Sequence, residues 1–455
     1  MSTTESTGHG LSRRGFLGGA AATAVAAATG LGLAGCSAGA SASSDRPLQF
    51  WQFYAPQTQT QADLKAQNDW FVKAADDWNA KHRTKVENVF IPNFTDPSNT
   101  RLATAFASGD GPDVFLISPG DFLRYSNGGA LLDLAPYMSK EAIADFNPDI
   151  LSTRMVGDGV YGLPMEVEPL AMFYSVPAWE KAGLSEGDIP KTWDQMLDVA
   201  EKLTTKSQSG LVFETTPGYF QNFTWYPWMW QGGGDVVDKA QKPTFDSAAT
   251  RQALDLFGRS IRTGVAPRTL PAAGDLPGAF AEGYAAMWQS GIWQVAGFRG
   301  TQPKFDYGVF PLPTPPGGKP QTVLGGWAWC VNARGRNPEQ AAKFVVETVG
   351  AMTDESISRV ADWCMVAKSD MPPRDSVDAL MTKRGAFRDP KLEYFHDVIL
   401  PTGRGEPRYP PVVYKAISNA IQQVQAAGGN AAGQAATAQS AIEAFMQTYE
   451  GGDLR

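Results

Sequence analysis

Histidine and cysteine are scarce in this sequence, with three of each among 455 residues. His82 and His396 lie in unrelated contexts without metal-ligand spacing, so we expect no metal site and no cofactor. Cys330 and Cys364 could pair in an oxidising compartment, but their spacing does not establish a disulfide. The sequence also contains no Walker-type phosphate loop.

Positive charge is in short supply as well. Lysine and arginine number 39 against 47 acidic residues, a formal net charge of −8 at pH 7. Such a chain lacks the basic footprint that nucleic acids require, so we expect no nucleic-acid partner. Beyond the N-terminal region, no apolar run reaches the roughly 18 residues of a membrane span. The length exceeds what one ordinary core accommodates, which predicts two domains.

The N-terminal stretch LSRRGFLGGAAATAVAAATGLGLAGCSAGASASSD (11–45) combines two arginines, a weakly apolar run and a cysteine. Its arginines, Arg13 and Arg14, resemble those of a twin-arginine export signal. The box ending at Cys36 resembles a lipoprotein-processing site, which implies cleavage before Cys36 and lipidation of its sulfur. We therefore interpret 1–35 as a signal peptide and 36–46 as the lipidated cysteine and a flexible tether. An ordinary membrane anchor helix is the alternative.

Periodicity predicts an alternation of strands and helices after the tether. Aromatic and β-branched runs predict strands at 48–54, 86–94 and 111–118, and apolar residues at helical spacing predict helices at 61–80 and 98–108. This order is typical of a parallel sheet covered by helices.

Local signals indicate further elements. Thr192 and Gln195 form a capping box at a helix start, and Asn337 precedes another start with proline at the first helical position. The alanine-rich segment from 430 to Tyr449 predicts a terminal helix. Gly157–Gly162 matches G-x-G-x-x-G, but its context predicts a tight turn between extended runs rather than a dinucleotide loop.

Several longer segments, taken in order, are similar to one family. They are ATAFASGDGPDVFLI, YGLPMEVEPLAMFYS, AGL…IPKTWDQMLDVAEKLT, AAMWQSGIWQVAGF and YGVFPLPTPPGGKPQTVLGGWAWCVNA. Together they resemble the family 1 extracellular solute-binding proteins, the lipid-anchored receptors of ABC sugar importers to which the maltose-binding protein belongs. The resemblance spans roughly residues 47–425.

The resemblance implies an α/β fold of two Rossmann-like lobes joined by a hinge, the type II periplasmic-binding-protein fold, with ligand held in the cleft between them. The expected first lobe comprises 47–165 and 315–362, and the expected second lobe 166–314 and 363–455. Ligands of open α/β sheets lie beyond the carboxyl ends of the strands, which points to the residues after Phe50 and Ser118 and near Glu168.

A sugar offers C–H faces for aromatic stacking and hydroxyls for carboxylates. Trp51 ends the first strand, whereas the resemblance implies roles for Asp121 as a hydroxyl-binding acid, for Trp293 as a stacking ring and for Gly326 in a cleft-facing turn. The expected ligand-binding residues are Trp51, Asp121, Glu168, Trp228, Trp293, Gly326 and Trp327.

Six further residues are candidates for the same site. Glu166 neighbours Glu168, and Tyr219 and Phe223 belong to the aromatic stretch GYFQNFTWYPWMWQGGGD (218–235). The complete additional set is Tyr54, Glu166, Tyr219, Phe223, Arg374 and Tyr409.

These observations predict an extracytoplasmic, lipid-anchored, monomeric binding protein, not an enzyme. It would capture a mono- or oligosaccharide and deliver it to two permease subunits served by a cytoplasmic ATPase. The sequence does not name the sugar. Two alternatives stay open: the same fold binding a polyamine, a metal or a phosphate ester, and a secreted glycosidase, which would need two carboxyls flanking one glycosidic bond.

Overall fold

The computed structural model describes residues 46–454 apart from residue 55 and the segments 57–61, 93–99, 273–274 and 300–303. These residues belong to one compact unit, Asp45–Arg455. The predicted signal peptide (1–35), Cys36 and all of the predicted tether except Arg46 lie outside the described residues. Within the part of the chain that is described, no helix has both the length and the apolar character needed to cross a membrane.

The described chain contains strands of two to eight residues. They are β1 Leu48–Gln52, β2 Val86–Phe90, β3 Val114–Ile117, β4 Met155–Val156, β5 Gly159–Val160, β6 Leu163–Pro164, β7 Glu168–Ser175, β8 Ser209–Val212, β9 Ala285–Gly291, β10 Tyr307–Phe310, β11 Thr322–Gly325, β12 Ala328–Val331 and β13 Gly403–Gly405.

Helices follow or separate most of these strands. They are α1 Ala62–Lys81, α2 Arg101–Ser108, α3 Pro119–Ser126, α4 Lys140–Ala144, α5 Pro148–Leu151, α6 Val176–Lys181, α7 Trp193–Leu203, α8 Tyr219–Gln231, α9 Ala248–Arg262, α10 Leu276–Ala281, α11 Gln294–Arg299, α12 Pro338–Val345, α13 Asp354–Asp362, α14 Asp375–Arg384, α15 Pro390–Tyr394, α16 Pro411–Gln425 and α17 Ala431–Met446.

The first lobe is built on a five-stranded sheet of order β2-β1-β3-β12-β6. Strand β1 pairs in parallel with β2 and β3, and β12 runs antiparallel to β3. The predicted strand–helix–strand–helix–strand order is therefore confirmed. Aromatic rings fill the core on one face, where the ring of Phe71 stacks on Trp329 at 5.7 Å between centroids.

The second lobe is built on a six-stranded sheet of order β13-β11-β7-β9-β8, with β10 beside β7. Strand β7 pairs antiparallel with β9, while β8 runs parallel to β9. All residues of β9 are buried, as expected of a strand covered on both faces. Helix α8 is buried almost all round and packs against α9 and α16.

Three neighbouring stretches of the chain lie at the junction of the two sheets and are here called the crossing segments: 164–168, 325–328 and 367–371. The first joins β6 to β7 and the second joins β11 to β12. The third lies alongside the first, because Val167 and Met371 form an antiparallel bridge. Two adjacent connections, with a third stretch packed alongside them, make a hinge about which two lobes can rotate.

Sheet membership corrects the expected lobe boundaries at two places. Strand β11, expected in the first lobe, pairs with β7 of the second sheet. Residues 363–386, expected in the second lobe, contribute buried side chains to the first core. For residues 363–386 the physical reason is aromatic packing, since the centroids of the Trp363 and Trp70 rings lie 4.9 Å apart.

The local signals are confirmed in the described residues. The Thr192 hydroxyl accepts a hydrogen bond from the Gln195 backbone N–H at 3.2 Å, and the Gln195 side chain accepts one from Thr192 N–H at 3.2 Å. Asn337 caps α12 through Gln340 N–H at 3.3 Å. Gly157 has φ 58° in the turn between β4 and β5, so the G-x-G-x-x-G match is a hairpin.

Candidate functional site

A cavity of about 400 Å³ opens between the two lobes. The first lobe supplies Asp121 and the second lobe supplies Tyr219, while Trp327 comes from a crossing segment. A concave space lined by aromatic and polar groups from both lobes is the usual form of a small-molecule site. Its other lining residues are Leu102, Ile117, Arg124, Tyr125, Pro217, Gly218, Tyr414, Lys415, Ser418 and Asn419.

Asp121 lies in the first turn of α3, just beyond the carboxyl end of β3. Its backbone N–H donates to the Ser118 carbonyl at 3.2 Å, which closes the turn and presents the carboxyl to the cavity. Burial raises the pKa of Asp121, and the positive charge of Arg124 lowers it in part. The structure thus places this acid at the wall of the cavity, as the strand-end rule predicts.

Glu406 is a buried acid next to Gly120, beside this cavity, that sequence reasoning missed. It follows β13 in the second lobe, and its backbone N–H donates to the Leu324 carbonyl at 3.0 Å. Its carboxyl reaches the first lobe, where the Gly120 N–H hydrogen bond lowers its pKa, but burial dominates and raises that pKa to about 8. Tyr219 packs at the same place, because a Cβ on Gly120 would lie 3.2 Å from its ring.

The crossing segments hold a buried charge cluster, here called the hinge cluster, of Glu166, Glu168, Lys368 and Asp370. The Lys368 ammonium lies 2.6 Å from Glu168 Oε1, 3.3 Å from Asp370 Oδ2 and 3.7 Å from Glu166 Oε2. Burial raises the pKa of Glu168 to about 7, although Lys368 lowers it in part. The Lys368 ammonium also lies 3.3 Å from the Tyr54 hydroxyl, so Tyr54 packs against the hinge cluster.

The three acids of the hinge cluster could ligate a metal ion, since one carboxylate oxygen from each lies within 4.8 Å of the others. The ammonium of Lys368 lies among them at ion-pair distance, however. A built-in cation thus stands where a metal would have to bind. The arrangement fits an internal ion network better than a metal centre.

Gly326 makes a turn that other residues would not adopt easily. Its φ is 121°, and a Cβ there would lie 2.5 Å from the Glu166 carbonyl oxygen. The buried guanidinium of Arg154 donates to the Gly326 carbonyl, and the Trp327 N–H donates to Glu166 Oε1 at 3.2 Å. These bonds fix the direction in which Trp327 leaves the crossing segment towards the cavity.

The other predicted aromatic platforms lie on both lobes. Trp293 is half-buried near Phe220, with 6.4 Å between ring centroids, and Phe223 packs against Gly325. Trp51 lies in β1, half-buried, with the Arg101 guanidinium carbon 5.3 Å from its ring centroid. Trp51 and Arg101 line a second, more open recess rather than the main cavity.

Three predicted ligand residues require correction because the structure buries them with other partners. Trp228 is 0 % exposed, and its indole N–H donates to Gln289 Oε1 at 3.1 Å. Arg374 bonds the Asp145 carboxylate at 2.7 Å beneath the first sheet. Tyr409 packs in the core against Tyr226, with 5.7 Å between ring centroids.

The two glutamates and the two cysteines singled out in the sequence are all buried. Glu168 is the first residue of β7 rather than the end of a strand, and it still lies in a crossing segment. Glu166 is fully buried, with its carboxylate accepting from the Trp363 indole. The thiols of Cys330 and Cys364 are both free and buried, so the possible disulfide is not formed.

Comparison with known proteins agrees with this geometry. The family model of the bacterial extracellular solute-binding proteins matches residues 61–347, well over half of the chain. This chain belongs to that family. Membership places the protein outside the cytoplasm and confirms the resemblance drawn from the sequence. The members of the family bind solutes.

Individual members of the solute-binding family show the same likeness. A probable ABC transporter-binding protein of Deinococcus radiodurans is 28% identical over 61% of this chain and 68% of its own length. The diacetylchitobiose binding protein DasA of Streptomyces coelicolor is 25% identical over 62% of this chain and 66% of its own length.

A solved structure supports the fold. An ABC transporter solute-binding protein from Thermotoga lettingae, bound with α-D-tagatose, superposes with a TM-score of 0.73. The superposition covers 88% of this chain and 100% of the Thermotoga lettingae protein, and the two sequences are 22% identical. The predicted two-lobed solute-binding fold is thereby confirmed.

Proposed function

We propose that this chain is the receptor of an ABC importer, capturing a mono- or oligosaccharide by closure of its lobes and delivering it to the permease. The cavity lined from both lobes by Asp121, Tyr219 and Trp327 is the observation that carries the proposal. Rings bind the C–H faces of a sugar and a carboxyl accepts its hydroxyls. The names of the relatives agree, since one binds diacetylchitobiose and a fold neighbour was solved with tagatose.

The proposed ligand contacts are of three kinds: residues of the cavity wall, the Gly326 turn that supports one of them, and aromatic rings nearby. Asp121, Tyr219 and Trp327 line the cavity directly. Gly326 supports Trp327, and Glu168 contributes from the crossing segments. Around this centre we propose supporting roles for Trp51, Tyr54, Glu166, Phe223 and Trp293.

Affinity of the order such receptors need is within reach of these contacts. A micromolar dissociation constant corresponds to about −8 kcal/mol. Hydrogen bonds to a charged group contribute about 1.5–3 kcal/mol each, and stacked rings add to them. Closure of two lobes around one ligand also removes both faces from water.

Export and anchoring are part of the proposal. Arg13 and Arg14 would direct twin-arginine export, and Cys36 would carry the lipid that holds a monomeric receptor beside two permease subunits and their cytoplasmic ATPase. A Cys36→Ala variant should be exported but recovered in the soluble fraction, and Cys36→Ala remaining in the membrane fraction would contradict lipid anchoring.

The central experiment is a thermal-shift screen over neutral mono- and oligosaccharides, with spermidine, glycerol phosphodiesters and divalent cations as other ligand classes. A ligand that binds the folded form at about 100 times its dissociation constant adds roughly 2.7 kcal/mol of stability, which raises the Tm. A shift with a sugar supports the proposal. Shifts confined to the other classes, or chromatographic release of shorter products from an oligosaccharide, would contradict it.

A further inference from the structure

A short segment that follows helix α17 contacts both lobes. This segment, residues 449–454, is here called the strap. It is joined to the second lobe by α17, which packs against α9 and α16 of that lobe. The Gln439 side chain fixes α17 there by donating to the Pro243 carbonyl at 3.0 Å. The strap then lies against α3, the first-lobe helix that presents Asp121 to the cavity.

One amide of the first lobe binds the strap at two points. Asn127 follows the last residue of α3, and its Nδ2 donates to the Tyr449 hydroxyl at 3.0 Å, while its Oδ1 accepts from the Gly452 N–H at 3.1 Å. The Tyr449 hydroxyl in turn donates to the Gly452 carbonyl at 2.7 Å, which closes a tight loop within the strap. A Cβ on Gly452 would lie 3.2 Å from a methyl carbon of Leu123, so the strap packs directly on α3. An amide that uses both its donor and its acceptor on one segment fixes the orientation of that segment as well as its distance.

The far end of the strap is attached to the second lobe again. The Leu454 N–H donates to Gln241 Oε1 at 2.8 Å, in the loop between α8 and α9. The Leu454 side chain is fully buried and belongs to a core that includes residues of α8, α9 and α16. Arg408, which follows β13, donates from Nε to the Asp453 carbonyl at 2.9 Å. The strap therefore starts and finishes on the second lobe and meets the first lobe in between.

Helix α3 touches the second lobe at its other end as well. A Cβ on Gly120 would lie 3.0 Å from Glu406 Oε1 and 3.2 Å from the Tyr219 ring, both of the second lobe. Asp121, the next residue, lines the cavity. A helix of eight residues is about 12 Å long and moves as one piece. A rotation at the crossing segments that draws Gly120 away from Tyr219 therefore also displaces Asn127 from the strap.

We propose that the strap holds the two lobes in the arrangement in which they enclose the cavity, and that the Asn127 amide is the contact that breaks when the lobes open. The inference deepens the proposed function, because it assigns a control on access to the cavity, and it rests on the proposed closure of the lobes. Asn127 and Tyr449 are positioning residues in this account, since neither is among the described residues that line the cavity.

Contacts of this size bias an equilibrium without locking it. Loss of one typical hydrogen bond shifts a two-state equilibrium by about three- to tenfold. A receptor has to open in order to admit and release its ligand, and a bias of this size permits that. The strap raises the fraction of the closed form before a ligand arrives, which raises the apparent affinity for any ligand that binds the closed form.

The first test measures opening of the lobes in the full chain without any ligand. Tyr449→Phe removes the hydroxyl that the Asn127 amide binds but keeps the ring, which packs on Phe445 with 5.1 Å between centroids. We expect small-angle X-ray scattering to give a larger radius of gyration for this variant than for the wild type. Tyr284→Phe is the matched control, because it removes a hydroxyl that donates to the Thr269 carbonyl at 3.0 Å within the second lobe. Its radius of gyration should equal that of the wild type.

A reversible cross-link tests the same contact from the opposite direction. A Cβ on Gly451 would meet the amide nitrogen of Asn127, so cysteines at these two positions are within reach of a disulfide. Cys330 and Cys364 are buried, and Cys36→Ala in the same chain removes the other thiol. The oxidised Asn127→Cys/Gly451→Cys protein should have the smallest radius of gyration of the set, and dithiothreitol should reverse the change. It should also bind a sugar from the thermal-shift screen at least about tenfold more slowly when oxidised than when reduced.

Affinity should follow the same equilibrium. For the mono- or oligosaccharide that gives the largest thermal shift, Tyr449→Phe should raise the dissociation constant about three- to tenfold, and Tyr284→Phe should leave it within about twofold. Asn127→Ala loses both amide hydrogen bonds and should exceed Tyr449→Phe in the radius of gyration and in the dissociation constant. If Asn127→Ala fails to fold, Tyr449→Phe and the cross-link still decide the question.

The outcomes separate the strap from the function beneath it. The inference is overturned if Tyr449→Phe has the radius of gyration of the wild type or a smaller one, or if the oxidised protein takes up a sugar as fast as the reduced one. If sugars bind but the radius of gyration does not respond, the carbohydrate-receptor function stands without the strap. If the radius of gyration responds but no carbohydrate binds, the strap stands and the carbohydrate function falls.

Discussion

The Nζ atom of Lys368 lies 2.6 Å from Oε1 of Glu168, joining two of the three crossing segments through a buried ion pair. The two residues are 200 positions apart in the chain. Their pairing ties the first connection between the lobes to the stretch that packs alongside it. The hinge is therefore held by charge as well as by backbone bridging.

Removing the lysine should destabilise the protein strongly. Lys368→Met leaves the carboxylates of the hinge cluster without their central ammonium, and an unpaired buried charge typically costs about 3–5 kcal/mol. Urea unfolding at about pH 8 would measure the loss, with exposed Lys304→Met as the control. Equal stability of the two variants would show that the ion network contributes nothing to the fold.

Stability should fall as the pH rises from about 5 to about 8. Glu168 and Glu406 have folded pKa values of about 7 and about 8, above the ordinary value of 4.5. The native state therefore binds more protons than the unfolded state in this window, and the slope of unfolding free energy against pH is negative. The charged groups facing Glu168 are Lys368, Glu166, Asp370 and Arg154.

The variant Glu406→Gln isolates one contribution to that slope, because glutamine does not titrate. Its Tm should change less between about pH 6 and about pH 8 than that of the wild type. Parallel Tm curves for the two proteins would contradict a raised pKa at Glu406. The exposed change Glu282→Gln should leave the slope as it is.

The Gly326 turn should tolerate no side chain. With φ 121° and a prospective Cβ 2.5 Å from the Glu166 carbonyl oxygen, Gly326→Ala meets both backbone strain and a clash. Gly428→Ala is the matched control, since Gly428 has φ 72° but open space around it. Unfolding should show Gly326→Ala losing at least about 1 kcal/mol more than Gly428→Ala. A smaller loss of unfolding free energy in Gly326→Ala would mean that the backbone of this crossing segment can move to accommodate a side chain.

Short-range patterns were sufficient to predict much of the local structure. Strands β1 and β3 and the capping box of α7 depend on residues within a few positions of one another, so the sequence displays their cause directly. The position of Asp121 also followed from such a pattern, because it comes immediately after a buried strand. These features needed no knowledge of distant contacts.

The hinge cluster and Glu406 were not predictable in the same way. Lys368 lies in the segment MVAKSDMPP, and Glu406 in GRGEPRYPP, and nothing local marks either as buried. Their burial arises only when distant segments meet at the crossing. The lobe boundary failed for a similar reason, since the aromatic packing of Trp363 on Trp70 joins residues far apart in the chain.

Trp228 should contribute to stability and not to ligand affinity. The sequence showed an aromatic-rich helix but not that α8 is buried almost all round. Trp228→Phe removes the donor to Gln289 and leaves a small void, which should cost about 1–3 kcal/mol. Calorimetric affinity for a sugar from the screen should stay within about twofold, which is less than 0.5 kcal/mol. If Trp228→Phe instead weakens sugar binding and leaves the stability unchanged, Trp228 is a ligand-binding residue.

Asp121 should show the opposite behaviour, because its carboxyl faces the cavity rather than the core. Asp121→Asn keeps the size of the side chain but removes the charge that accepts from a hydroxyl or an ammonium. A hydrogen bond to a charged group contributes about 1.5–3 kcal/mol, so affinity for the best sugar of the screen should fall about 10- to 100-fold. Because burial raises the pKa of Asp121, removing its charge should leave the Tm unchanged or slightly higher. The matched control is Asp158→Asn at the exposed hairpin tip, where both affinity and Tm should be those of the wild type. An Asp121→Asn protein that binds the sugar with wild-type affinity would remove this acid from the site.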